Sequence, residues 1–313
     1  MERLESAQEI KKILEQGNFS ASEYCRSSVF DFVARKGELL LFIKLLSNID
    51  AMRYEIAKEL KTICKFLRGV PIAISKRSGS GEIKDGTVYL RHDVLTMSER
   101  TFEELAIENV KPQVYAMPGG FYARIDIEKM KRIRRTRKIS LGEVARAIGV
   151  SRKAVQLYEQ GMKPEIKTAL KLENFMGETL IMPIDVSYYT REFEAISFEF
   201  NLEKLEFFKR AVFSRLSKLG YEVLPTFRSP FTGLTKNERE AFITCIDENE
   251  KLLAKKTRLI ASISDVVKRI SVFFVKKSEK KNFSGIPVIA WEDLKETTSS
   301  EEVTEIILER TKK

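Results

Sequence analysis

The stretch "SLGEVARAIGVSRKAVQLYEQG", Ser140 to Gly161, leaves the centre of the chain few folds to choose from. Ser140 suits an N-cap, and Glu143 three residues on completes a capping box, so a helix should start there. Val144, Ala145 and Ile148 recur at helical spacing and give it an apolar face. Gly149 then offers the positive φ that ends a helix. Ser151 caps a second helix with Ala154, Val155 and Tyr158 inside, and Gly161 closes it. Upstream, Met130 and Ile133 share a face of another helix. Downstream, Pro164 opens "PEIKTALKLENFMG". Two short helices joined by a tight glycine turn make a helix-turn-helix, and small Ala145 lets them approach closely.

Charge gathers on the same segment. The formal net charge is +10, and eleven Lys and Arg lie between Lys129 and Lys163 against only Glu143 and Glu159. A charge run alone reads as a solvated face; with the helical pattern it suggests a polyanion contact. A helix-turn-helix lays its second helix in the major groove and reaches bases from that helix's N-terminal residues. Ser151 starts that helix, and Arg152, Lys153 and Gln156 fall on its outer side. Arg and Lys suit guanine O6/N7, and Gln suits adenine. Arg134, Arg137, Lys138 and Arg146 are expected to meet phosphates, which position without specifying, with the Ser140 cap among the DNA-facing residues.

The pattern resembles the Cro and phage-repressor type of helix-turn-helix, which typically reads S-Q-E-E-L-A-x-x-L-G-V-S-x-x-x-I-S-x-x-E-x-G. Ser140, Glu143, Ala145, Gly149, Val150, Ser151, Glu159 and Gly161 match it. Leu141 replaces a glutamine that often touches a phosphate, and Lys138 replaces a common glycine. The resemblance implies double-stranded DNA as partner and a homodimer on a two-fold site. Flanking the motif, "VYAMPGGFYARI" (114–125) reads as a β-hairpin turning at Pro118-Gly119-Gly120. "ETLIMPIDV" (178–186) could add a strand beside it. With Arg124 the only positive charge in the two stretches, this small sheet is expected to pack on the helices rather than to serve as a DNA-contacting wing.

A second pattern lies in "FDFVARKGELLLFIKLL", residues 30–46. Asp31 ends one apolar run, a tight Arg-Lys-Gly turn follows, and Lys44 sits inside the next run. Metal-dependent nucleases place a glutamate two residues before such a lysine, on the same strand face. Phe42 stands there and offers no hard oxygen for Mg²⁺. The order of helix, hairpin, helix, strand ("VPIAIS") and strand ("TVYLRHDV") over residues 1–100 resembles archaeal Holliday-junction resolvases and the PD-(D/E)xK nuclease class. The missing glutamate marks a degenerate member. At an offset of 200 the C-terminal third echoes this region: Lys36 meets Lys236, Glu38 Glu238, Phe42 Phe242 and Ile43 Ile243, while "RGVPIAISK" meets "KRISVFFVK". "ILEQGNF" resembles "LSKLGYE", and "GTVYLRHDVL" resembles "GIPVIAWEDL". An internal duplication is inferred, with Asp31 replaced by Phe231, Lys44 by Thr244, and His92 matched to Trp291 in a packing role.

The expected architecture is mixed α/β. A degenerate nuclease-like α/β domain spans 1–108. A helical DNA-binding domain with a small hairpin spans 109–190, and a second nuclease-like domain spans 191–313. The amphipathic N-terminal helix should bury Leu4, Ile10, Ile13 and Leu14. It has no signal-peptide core, and no apolar run is long enough to cross a bilayer, so a cytoplasmic protein is expected. Cys25, Cys64 and Cys245 lie far apart without a CxxC pair, and His92 is the only histidine. Disulfide frameworks, zinc sites and His triads are thereby disfavoured, and no cofactor or metal is expected. The cysteines read as core residues, with redox sensing an open alternative. The whole chain resembles archaeal Cro-type transcriptional regulators, which implies a sequence-specific, non-enzymatic DNA-binding regulator that could contact the transcription machinery. The rival readings are a nuclease or junction-processing enzyme and an architectural or polymerase-associated DNA-binding protein.

Overall fold

The computed structural model describes residues 2–26, 29–79, 81–187 and 202–311. The N-terminal third runs α1 (Glu2–Gln16), β1 (Ser20–Ala21), β2 (Phe32–Lys36), β3 (Leu39–Asn48), α2 (Tyr54–Leu67), β4 (Val70–Ser78), β5 (Gly81–Glu82), β6 (Thr87–Arg91), β7 (Val94–Met97) and α3 (Glu99–Ile107). The centre holds β8 (Val114–Met117), β9 (Gly120–Ala123), α4 (Ile127–Thr136), α5 (Leu141–Ile148), α6 (Arg152–Glu159) and α7 (Ile166–Met176). The last third runs α8 (Phe207–Lys218), β10 (Glu222–Pro225), β11 (Gly233–Lys236), β12 (Ala241–Asp247), α9 (Glu250–Val267), β13 (Ile270–Val275), β14 (Asn282–Phe283), β15 (Ile286–Ala290), α10 (Trp291–Glu296) and α11 (Ser300–Thr311). The fold is mixed α/β, with the helix-turn-helix segment between two α/β regions. The expected boundary between 190 and 191 lies outside the described residues.

Contacts group the chain into two compact units: residues 1–45, 53–72 and 187–313 in the first, and 46–52 and 73–186 in the second. One sheet has the order β1-β2-β3-β4-β7-β6-β8-β9 with β5 on β4; the other runs β10-β11-β12-β13-β15-β14.

In the first unit β12 and β13 are parallel, joined by the α9 crossover. Parallel strands are covered on both faces, so they read as unbroken apolar runs rather than alternating ones. Phe242 to Ile246 and Ser271 to Val275 are accordingly all buried. Phe208, Val212, Phe213 and Leu216 of α8 pack on Phe242, Val272 and Phe274. In α1, Ile10, Ile13 and Leu14 are buried as expected, but Leu4 is 45% exposed and Ala7 takes the buried place. The apolar face of that helix begins one turn later than the sequence pattern suggested.

In the second unit "TVYLRHDV" is not one strand. β6 and β7 form an antiparallel hairpin that turns at His92 and Asp93, both at positive φ (51° and 62°). Consequently β15 corresponds in sheet order to β7, not to β6. Trp291 starts α10 and packs edge-on against Phe208 at 6.0 Å, so it is not the counterpart of His92. The expected 114–125 hairpin is β8–β9, but it does not form a sheet of its own: β8 pairs in parallel with β6. No named strand occurs in 178–186; a single bridge joins Ile125 to Ile181, and the Met182 N–H donates to the Arg124 carbonyl at 2.8 Å.

Candidate nucleic-acid interface

Four helices of the second unit, α4 to α7, close on one core of Met130, Val144, Ala145, Ile148, Val155, Tyr158, Leu172 and Met176. The start of α5 follows its sequence. The Ser140 hydroxyl accepts the Glu143 N–H at 3.2 Å, and the Glu143 carboxylate accepts the Ser140 N–H at 2.7 Å. These hydrogen bonds, the backbone one foremost, hold the exposed Glu143 carboxyl below the usual range. A depressed folded-state value stabilises the helix start above the unfolded-state value, and that contribution is lost as pH falls through the folded one. Gly149 sits at φ 76° and donates to the Ala145 carbonyl, so the turn needs left-handed backbone more than space. The Ser151 hydroxyl accepts the Ala154 N–H at 3.1 Å and starts α6.

Side chains on α6 divide as helical geometry requires. Val155 is fully buried, while Arg152, Lys153 and Gln156 are exposed. Ser140, Ser151 and, on α5, Arg146 are exposed too, as are Arg132 and Arg135 of α4, which the sequence reading counted only as charge. Arg134 stands apart. Its guanidinium grips both carboxylate oxygens of Glu159 at 2.6 and 3.1 Å and donates to the Ile139 carbonyl at 3.2 Å. That braces α4 against the end of α6. Arg137 donates to the Met176 carbonyl at 2.7 Å, at the end of α7, and stays exposed. Removing the brace with Arg134→Ala should cost about 1.5–3 kcal/mol, the worth of hydrogen bonds between charged groups. A double-mutant cycle with Glu159→Gln in thermal unfolding checks this.

Lys138 occupies the position where the resembled family often has glycine, and its φ is 54°. A side chain there carries a left-handed penalty of roughly 1–2 kcal/mol. Lys138→Gly should therefore raise stability by about 1 kcal/mol while removing one exposed cation. Unfolding midpoints and DNA titrations read the two effects separately.

Around the motif, the β8–β9 hairpin docks on the segment that follows α6. The Ala123 N–H donates to the Pro164 carbonyl at 3.0 Å, and Tyr122 bridges Glu165. The Lys163 ammonium lies 4.1 Å from the Tyr115 ring centre. Entry and exit of the segment meet where Lys111 pairs with Asp185 at 2.5 Å and the Ile184 N–H donates to the Pro112 carbonyl.

The nuclease-like motif lies in the first unit. Asp31 is fully buried; its Oδ2 stands 3.1 Å from Lys44 Nζ and accepts the Leu45 N–H at 2.8 Å. Phe42 is fully buried beside it, packed edge-on with Phe30 at 5.3 Å. A Cβ on Gly69 would stand 2.7 Å from the Phe42 ring, so the aromatic fills its space completely. The Mg²⁺ of a PD-(D/E)xK enzyme needs exposed carboxylate oxygens and room for water. An ammonium-bound, fully buried aspartate beside a phenyl ring does not fit that ion. Among the described residues no group of three or more His, Cys, Asp or Glu could hold a metal ion.

The corresponding strands of the C-terminal region depart from the expected alignment. Val33 faces Phe42 across β2–β3, whereas Thr235 faces Phe242 across β11–β12. The register has moved by two residues, so Gly233, not Phe231, stands where Asp31 does. Thr244, the counterpart of Lys44, bonds Thr235 through their hydroxyls at 2.8 Å. All three cysteines are buried; burial raises the Cys64 thiol well above its usual value and pushes Cys245 up to about 12. Both stay protonated, which suits core residues better than redox sensors.

Comparison with known proteins bears on both parts. Residues 3–112 match the PD-(D/E)XK superfamily domain, and residues 130–181, which span α4 to α7, match the helix-turn-helix family. A protein of Methanocella arvoryzae is 32% identical over 95% of this chain and 94% of its own length. One of Methanococcoides burtonii is 33% identical over 97% and 96%, and one of Pyrococcus abyssi 33% over 99% and 98%. All three carry the name "Putative HTH-type transcriptional regulatory protein". The chain belongs to this archaeal family. No solved structure matches it. Family members thus align along almost their whole length, so the regions on both sides of the helix-turn-helix are as much a family feature as that motif. No described helix is long and apolar enough to cross a membrane.

Proposed function

We propose that the chain is a sequence-specific DNA-binding transcriptional regulator that lays α6 in the major groove. The observation that carries this reading is the exposure of Arg152, Lys153 and Gln156 at the start of α6 while Val155 is buried between them. Those three side chains can read base edges, and Arg146, Arg137, Lys138 and the exposed arginines of α4 can hold the phosphates around them. Ser140 and Ser151 act through the helix caps that aim these groups. The reading head is the 109–190 domain, with 1–108 and 191–313 as scaffold. The protein works in the cytoplasm on the chromosome as a homodimer on a two-fold site, within reach of the transcription machinery.

The nuclease-like flanks do not cut DNA in this reading, because Asp31 is closed by Lys44 and neither repeat keeps a set of carboxylates. Selection from random duplexes tests the proposal. It should return a two-fold motif with half-site centres about 10–10.5 base pairs apart or a multiple of that. The same preparations, incubated with linear and four-way junction DNA and Mg²⁺ or Mn²⁺, should leave it intact. Cleavage that disappears in Asp31→Ala would restore the nuclease reading, and recovery of unrelated sequences would favour the architectural one.

A further inference from the structure

The first unit contains two copies of one structural theme, and their mutual contacts follow a rule. In the N-terminal lobe the Phe19 N–H closes on the Leu14 carbonyl after left-handed Asn18; in the C-terminal lobe Tyr221 closes on Leu216 after Gly220. α2 ends in a left-handed cap at Arg68 and α9 in one at Lys268, both with φ 56°. Helix, short strand, hairpin, helix and strand recur in that order.

Contacts between the lobes recur between corresponding elements, though not between strictly corresponding residues, because in the shifted register Arg35 answers to Asn237 and Lys236 to Ala34. Arg35, near the end of β2, donates to the Val266 and Val267 carbonyls at the end of α9, at 2.6 and 3.0 Å. In reverse, Lys236, at the end of β11, lies 5.1 Å from the ring of Phe66 at the end of α2. Glu23, in the segment before β2, receives Arg258 of α9, and its N–H donates to the Ser262 hydroxyl at 3.0 Å. In reverse, the Phe227 and Arg228 N–H groups, in the segment before β11, both donate to Glu59 of α2 at 2.9 Å. Between these pairs Phe30 meets Phe231 across 6.2 Å.

When surface i touches j and j touches i, the interface is isologous, the signature of a two-fold dimer. Here both partners belong to one chain. We propose that the two nuclease-like lobes are an intramolecular pseudo-dimer, related by an approximate two-fold axis beside Phe30 and Phe231, and that each lobe fills in cis the face a second chain would otherwise occupy. The degenerate motif takes part in this pairing. Phe30 bridges Phe42, which stands where the nuclease glutamate would, and Phe231 of the other lobe. The aromatic that removes a metal ligand thereby joins the packing that leads to the opposite lobe. A homodimer of whole chains must then form through other surfaces.

Hydrogen exchange of the full-length protein, followed by mass spectrometry, tests this. Arg35→Ala should speed exchange in 264–270, and Glu59→Ala should speed it in 225–229. Each should do so about tenfold, the scale of one charged hydrogen bond. Both segments lie in the lobe that was not mutated. The wild-type protection there should not change over a hundredfold dilution, because the partner is on the same chain. Arg35→Lys and Glu59→Gln keep the side-chain bulk and should give the same pattern if either alanine variant fails to fold. Effects confined to the mutated lobe, or protection that falls on dilution, would overturn the proposal.

Discussion

Lys44→Met is expected to lower the stability of the protein by about 3–5 kcal/mol. Lys44 and Asp31 form an ion pair whose side chains are 5% and 0% exposed, so removing the ammonium leaves a carboxylate with little water to solvate it. The Leu45 N–H also donates to that carboxylate, at 2.8 Å. A buried pair is a weak net stabiliser, yet breaking one side of it is costly, because the remaining charge keeps its full desolvation penalty. The double variant Asp31→Leu with Lys44→Met should therefore recover most of the loss, since it replaces both charges by apolar groups. Guanidinium unfolding of the single and double variants decides this. A neutral Lys44→Met would mean that the remnant of the nuclease motif is neither closed nor buried in the way described.

The second large effect concerns reading. Arg152→Ala or Gln156→Ala should each remove about 1–3 kcal/mol of preference for the correct base and leave non-specific binding mostly intact. Arg146→Ala and Lys138→Ala should do the reverse, weakening all sequences alike and reducing the slope of log affinity against log salt by about 0.9 per lost phosphate contact. Arg134 carries a structural task besides the phosphate contact expected of it. It is held by Glu159, so its loss should appear in folding before it appears in binding. Titrations on specific and random duplexes at several salt concentrations separate the three behaviours.

Much of the reading head was legible because its signals are local. A capping box spans four residues, a left-handed glycine ends its own helix, and an outward face follows from the 3.6-residue period. Lys138 was flagged as a departure from the resembled pattern, and its positive φ explains why glycine is usual there. What escaped is non-local or lacks its usual marker. The Arg134–Glu159 brace joins residues 25 apart on two helices, and no pattern in either helix announces it. The β6–β7 turn uses His92 and Asp93 at positive φ, where Asn-Gly or Asp-Gly would have signalled a hairpin. The likeness of the two α/β regions was visible at an offset of 200, but pairing registers are set by turns and packing. The two-residue shift that puts Gly233 opposite Thr244 could only come from the folded strands. Leu4 reads as core by hydropathy, but its exposure depends on where neighbouring elements stop covering α1.

On the proposed function, α6 reads sequence and is not merely a basic surface. The most direct test is the ratio of affinities for the selected duplex and a scrambled one of equal length, measured at one physiological salt concentration for wild type and Arg152→Ala. The wild-type ratio should be at least about a thousandfold. Arg152→Ala should lower that ratio roughly ten- to a hundredfold while affinity for the scrambled duplex hardly changes. A wild-type ratio near one, or an Arg152→Ala loss equal on both duplexes, would contradict sequence reading by α6.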